Sequence, residues 1–72
     1  MAEEILAPMS GKVINIDLGP GEKVKEDDVV ITLEAMKMEV EVCSPSDGTI
    51  GSIEVEIGGL VGKDAILATI TE

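Results

Sequence analysis

Displacing the sequence by 37 residues lays its second half over its first. From Glu4 onward the overlap holds eight identities in 32 ungapped pairs. They are Glu4 with Glu41, Pro8 with Pro45, Gly11 with Gly48, Ile16 with Ile53, Gly21 with Gly58, Val24 with Val61, Asp27 with Asp64 and Thr32 with Thr69. Most remaining inward positions pair aliphatic with aliphatic: Ile5 with Val42, Leu18 with Val55, Val29 with Ile66, Leu33 with Ile70. A unit this short cannot bury an apolar face alone, so two copies must cover each other. The repeat predicts a pseudo-twofold sandwich.

The elements of that sandwich follow from periodicity. Ile14, Ile16 and Leu18 alternate with Asn15 and Asp17, and the same period of two returns in Val29, Ile31, Leu33 and in Val40, Val42. It recurs in Ile53, Val55, Ile57 with Glu54 and Glu56 opposite, and in Ile66, Ala68, Ile70. Short β-branched runs bounded by Gly, Pro, Ser and Asp read as half-buried strands, and no stretch carries a helical stripe. The chain is all-β. Gly21 and Gly58 follow long strands where a positive φ is expected, and Asp27 and Asp64 sit at equivalent later turns. Pro8 and Pro45, each with a Gly three residues on, also mark turns.

Val, Ile and Leu supply 22 of the 72 residues. That share, about 31%, is above the roughly 20% typical of disordered chains, so the chain folds despite its formal charge of −10. One domain over residues 1–72 is expected, burying roughly 60% of its unfolded surface. The side chains exclude much chemistry. Without His there is no Ser-His-Asp triad and no His-based zinc site. A single Cys supports neither a disulfide nor a four-Cys metal centre. The absence of aromatics and the negative charge argue against nucleic acid as a partner. No apolar run is long enough for a signal peptide or a membrane span, and the lone Cys43 fits a reducing compartment, so a cytoplasmic protein is expected.

Between the two repeats lies Glu34-Ala35-Met36-Lys37-Met38-Glu39. A hairpin here would ordinarily turn on Asn-Gly or another Gly-bearing pair. The tip instead offers Met, Lys and Met, none of which favours a positive φ, and such a conflict points to a functional site. Plainer readings stand beside it. A surface lysine is ordinarily a solubilising charge, Met38 is in phase with Val40 and Val42 as a core or rim residue, and Met36 can fill a gap beneath the turn.

The residues of this segment resemble the attachment motif of biotinyl (biotin carboxyl carrier) domains, in which the central Lys of Ala-Met-Lys-Met is biotinylated. The resemblance extends over nearly the whole chain, through Pro8, Gly11, Gly21 and Val24 in the first half and Pro45, Gly48, Gly58 and Val61 in the second. It implies the biotinyl/lipoyl fold, a flattened barrel-sandwich hybrid of two four-stranded antiparallel sheets. It further implies covalent biotin on Lys37, attached by a biotin protein ligase. Glu34, Ala35, Met36, Met38 and Glu39 would form the recognised turn. The carrier would shuttle carboxybiotin between a biotin carboxylase site and a carboxyltransferase or decarboxylase site. Its parent would be a carboxylase, decarboxylase or transcarboxylase, and the carrier would hold no catalytic residue and no metal. The family often has Gly where this chain has Asp27 and Asp64, and the ungapped halves leave no room for the protruding insertion of some acetyl-CoA carboxylase carriers. Two rivals remain: a lipoyl carrier, whose Lys typically follows Asp rather than Met36, and an unmodified β assembly module. A base or Schiff-base lysine would need a desolvated pocket, which a hairpin tip does not provide.

Overall fold

The computed structural model describes residues 2–72, with eight strands and no helix among them. The strands are β1 (Ala2–Leu6), β2 (Gly11–Ile16), β3 (Lys23–Val24), β4 (Val29–Ala35), β5 (Met38–Cys43), β6 (Gly48–Ile53), β7 (Leu60–Val61) and β8 (Ile66–Thr71). They form two four-stranded antiparallel sheets, ordered β1-β8-β6-β3 and β5-β4-β2-β7. Displacement by 37 residues carries each strand of one sheet onto a strand of the other. Each sheet therefore contains two strands from each half. The halves do not stack as separate layers but interleave, so neither half has a sheet of its own.

The internal symmetry extends to irregularities that alternation cannot show. Pairing skips Ile14 between Val13 and Asn15 in β2, and Gly51 between Ile50 and Ser52 in β6. It also skips Val30 in β4, and Leu67 in β8 where Ile5 and Leu6 face Ala68 and Ile66. These four positions form two pairs at the same 37-residue offset. A bulge shifts the in/out phase of its strand by one residue. Val13, Val30 and Leu67 consequently lie fully in the core with Ile31, Leu33, Ile50 and Ile70.

The expected faces of three residues are corrected by these shifts. Ile14 is half-buried and outside the core cluster, whereas Ile16 packs against it. Ile66 is exposed because the bulge hands its inward place to Leu67. Strand β6 ends at Ile53, so Val55 and Ile57 belong to the following loop, where Val55 reaches the core and Ile57 does not.

The turn glycines and aspartates behave as their sequence suggests. Gly21 and Gly58 have φ of 87° and 91°, Asp27 and Asp64 of 73° and 69°. Gly11 and Gly48 have a different role from the turn expected of them: they open β2 and β6 where two backbones crowd. A Cβ at Gly48 would lie 2.6 Å from the Thr71 carbonyl oxygen, and one at Gly11 would lie 2.8 Å from that of Glu34. Gly48→Ala is therefore expected to lower unfolding stability in urea by roughly 1–3 kcal/mol, the ordinary cost of overpacking. Gly62 has open space around it and no left-handed φ. Gly62→Ala should be neutral or stabilise by up to about 1 kcal/mol in the same titration.

Candidate functional site

Strands β4 and β5 pair from Val29–Cys43 up to Ala35–Met38, leaving Met36 and Lys37 as a two-residue turn. Both turn residues have positive φ, 52° and 64°. This is the left-handed pair that a type I′ hairpin requires and that Asn-Gly supplies without strain. A side chain with a Cβ costs roughly 1–2 kcal/mol in this region. Two-residue closure imposes the conformation, because the pairing register of β4 and β5 leaves the turn no other length.

The strands beneath hold that geometry. Leu33 and Ile31 of β4 are fully buried, Val42 of β5 is buried opposite Ile31, and Ala35 is buried at the base of the turn. On the other side of β4, Gly11 lets β2 come close: a Cβ there would also lie 3.5 Å from the Ala35 Cβ. The tip is thus a strained turn on a well-packed stem.

All the sequence-selected residues except Ala35 project into solvent. Met36 is 92% exposed and Met38 69%, which removes Met38 from the core or rim place its phase suggested and Met36 from the gap beneath the turn. Lys37 is exposed at the apex. Glu34 and Glu39 are directly paired across the strands and both exposed, an arrangement of like charges that weakens a hairpin. Left-handed Met36 and Lys37, two solvated methionines and opposed carboxylates all work against local stability. Their concentration at one tip makes this hairpin the candidate functional site.

Sequence reasoning confined the site to this hairpin. The structure adds Gly11 and the edge strand β7. Met36, Ala35 and Glu34 share an open concavity of about 430 Å³ with Ser10, Gly11, Lys12, Leu60 and Val61. A signal for β7 was present: Leu60 occupies the position that Lys23 holds in the other half, an apolar residue in place of a charged one.

A rigid interleaved β body with one strained, solvent-presented lysine defines a carrier module, a scaffold for a group borne on its surface. Residues 3–70 match the family model described as "Biotin-requiring enzyme", and the chain belongs to that family. Biotin is thus the cofactor of the family, as the hairpin motif implied. Over 68 residues the chain is 38% identical to the biotin-dependent acyl-coenzyme A carboxylase alpha3 subunit of Mycobacterium leprae (strain TN), covering 94% of this chain and 11% of that one. It is 41% identical over 54 residues to the biotin carboxyl carrier protein of acetyl-CoA carboxylase of Solanum lycopersicum, covering 75% of this chain and 77% of that one. Among solved structures, the lipoyl domain of the 2-oxoglutarate dehydrogenase complex of Azotobacter vinelandii superposes with a TM-score of 0.80 at 32% identity. That match covers 96% of this chain and 95% of the other.

The strain at the tip is measurable. Replacing Met36-Lys37 by Asn-Gly should raise the unfolding stability of the unmodified protein by about 1–2 kcal/mol, read from urea or thermal denaturation. An unchanged or lowered stability would show that the turn is not strained.

Proposed function

We propose that this chain is a biotin carboxyl carrier whose biotin is joined to Lys37 through an amide between the lysine Nζ and the valeryl carboxyl. The observation that carries this reading is the turn itself. An exposed primary amine stands at the apex of a two-residue turn, held in a left-handed conformation that glycine would adopt more easily. The residues fit the group, since attachment needs an accessible amine on a projection that an enzyme can enclose. When bound, biotin supplies a ureido nitrogen that accepts a carboxyl group at one active site and yields it at another.

The chain's own residues position and present. The stem of Leu33, Ile31 and Val42 fixes the direction of the tip, and the left-handed pair Met36–Lys37 narrows the turn so that it can enter a pocket. Met36 and Met38 offer solvated, adaptable apolar surface to an enclosing partner. The partners in this reading are a biotin protein ligase, and the biotin carboxylase and carboxyltransferase or decarboxylase components of the parent enzyme. Lys37 acts as an attachment point and the carrier itself catalyses nothing. Tethering makes each visit effectively intramolecular, with local concentrations in the millimolar range for a short flexible connection. A reducing, cytoplasmic setting belongs to the same reading, supported by the free and exposed Cys43.

Intact mass spectrometry after co-expression with a biotin ligase and supplied biotin tests the proposal. One biotin adduct on the wild type and none on Lys37→Arg is the expected result. A lipoyl adduct, or biotin on another lysine, would overturn it. Met38→Leu should leave the unfolding free energy within about 0.5 kcal/mol of wild type, as expected for an exposed position. The same variant should slow biotinylation under single-turnover conditions with limiting ligase. Identical rates would remove Met38 from the recognised surface.

A further inference from the structure

The pseudo-twofold gives every surface feature an internal control, because each end of the molecule should resemble the other unless function has altered one. At the end without the hairpin, the short edge strand presents exposed Lys23 and buries Val24 to 3% exposure. At the hairpin end the equivalent pair differs. Leu60 is 83% exposed and Val61 only half-buried. Ser10 replaces Asp47, whose carboxylate accepts a hydrogen bond from the Glu26 amide at the other end. At the hairpin end an open concavity of about 430 Å³ lies directly beside Met36.

From these differences and the concavity beside them we infer that the concavity is a docking site for the ring end of the biotin borne on Lys37 of the same chain. The inference rests on the reading of Lys37 as the attachment point. Three features select this occupant. The first is reach: Met36 lines the concavity and is the residue immediately before Lys37. The second is size, since about 430 Å³ falls in the range of small-molecule sites, roughly 300–1,000 Å³. The third is chemistry. Leu60, Val61 and Met36 supply apolar surface for a thioether ring, and Gly11 keeps the space clear of a side chain. A ureido group has one carbonyl acceptor and two N–H donors. The Lys12 ammonium can donate to the carbonyl, and the Glu34 carboxylate and Ser10 hydroxyl can accept from the N–H groups.

Intrinsic affinity need not be high. At an effective concentration in the millimolar range, a millimolar dissociation constant docks about half the population. Docking shields the ring between visits, and a partner site must compete for it, which lowers its apparent affinity for the carrier by the undocked fraction.

The experiment compares amide spectra of ¹⁵N-labelled protein with and without biotin, after intact mass has established one biotin on Lys37. Shifts are expected at Gly11, Lys12, Leu60 and Val61, and none at the equivalent Gly48, Thr49, Lys23 and Val24. Leu60→Gln, at an exposed position, should return the Gly11 and Val61 signals to their unmodified places, whereas Leu60→Met should keep them shifted. Capture of the biotinylated protein by limiting streptavidin should be about twofold faster for Leu60→Gln, as half-docking predicts. Shifts confined to residues 35–38, or equal at both ends, in a protein with one biotin on Lys37 would overturn the docking site alone. A mass showing no biotin on Lys37 would overturn the attachment reading and the docking site with it.

Discussion

The structure depends on a set of backbone hydrogen bonds that each half makes only with the other. The Gly21 amide donates to the Ile50 carbonyl and the Gly58 amide to the Val13 carbonyl, at 2.8 and 2.7 Å. The Asp27 amide donates to Ser44 and the Asp64 amide to Ala7, both at 2.8 Å. Each donor sits at a left-handed residue and each acceptor lies in the opposite half. A turn in one half is thus satisfied only when the other is folded. With strands of both halves in both sheets, no half-folded form keeps these turn amides paired with their carbonyls. This reciprocity lets a short chain without disulfide or aromatic residue hold a defined shape.

The same symmetry locates what is not structural. Left-handed residues occur in matched pairs at Gly21 and Gly58 and at Asp27 and Asp64, where Gly or Asp tolerates them. The other two among the described residues are Met36 and Lys37, where the side chain is neither Gly nor Asp. Glu34 and Glu39, opposed across β4 and β5, correspond to Thr71 and Ala2 on the other sheet, where no charges oppose. The strained turn and the opposed carboxylates are departures from a pattern that otherwise stabilises itself. They sit together at the hairpin that carries Lys37.

Much of this was readable from residues alone, for identifiable reasons. The 37-residue repeat and the period-two alternation report directly on which surfaces must be covered, so the sandwich and its core could be foreseen. The four bulges could not, since a one-residue phase shift at Ile14 or Leu67 looks in sequence like continued alternation by the neighbouring aliphatic. Ile66 and Leu67 are both acceptable inward residues, and only the register with Ile5 and Leu6 decides between them. Interleaving of the halves was equally hidden, because pairing partners are not encoded in the period. At the hairpin the motif was plain, but the exposure of Met38 was not. Its phase with Val40 suggested burial, while its place at the start of the edge strand β5 leaves it in solvent.

The division between body and tip also explains why strain can persist here. A left-handed Met-Lys turn on an isolated hairpin would relax by lengthening or slipping, since short two-stranded ribbons are marginal in water. On this stem, relaxation would have to move Ala35 off the β2 backbone at Gly11 or shift Leu33 out of a fully buried place. Either change exposes core surface, about 1.5–3 kcal/mol for one large aliphatic side chain, which opposes the roughly 1–2 kcal/mol that relaxing each left-handed residue would relieve. The interleaved core therefore acts at the tip as well as in the body: it holds Lys37 in a conformation its own sequence disfavours. A carrier that must present one group to different pockets needs that fixity at the point of attachment and freedom only beyond it, in the lysine side chain.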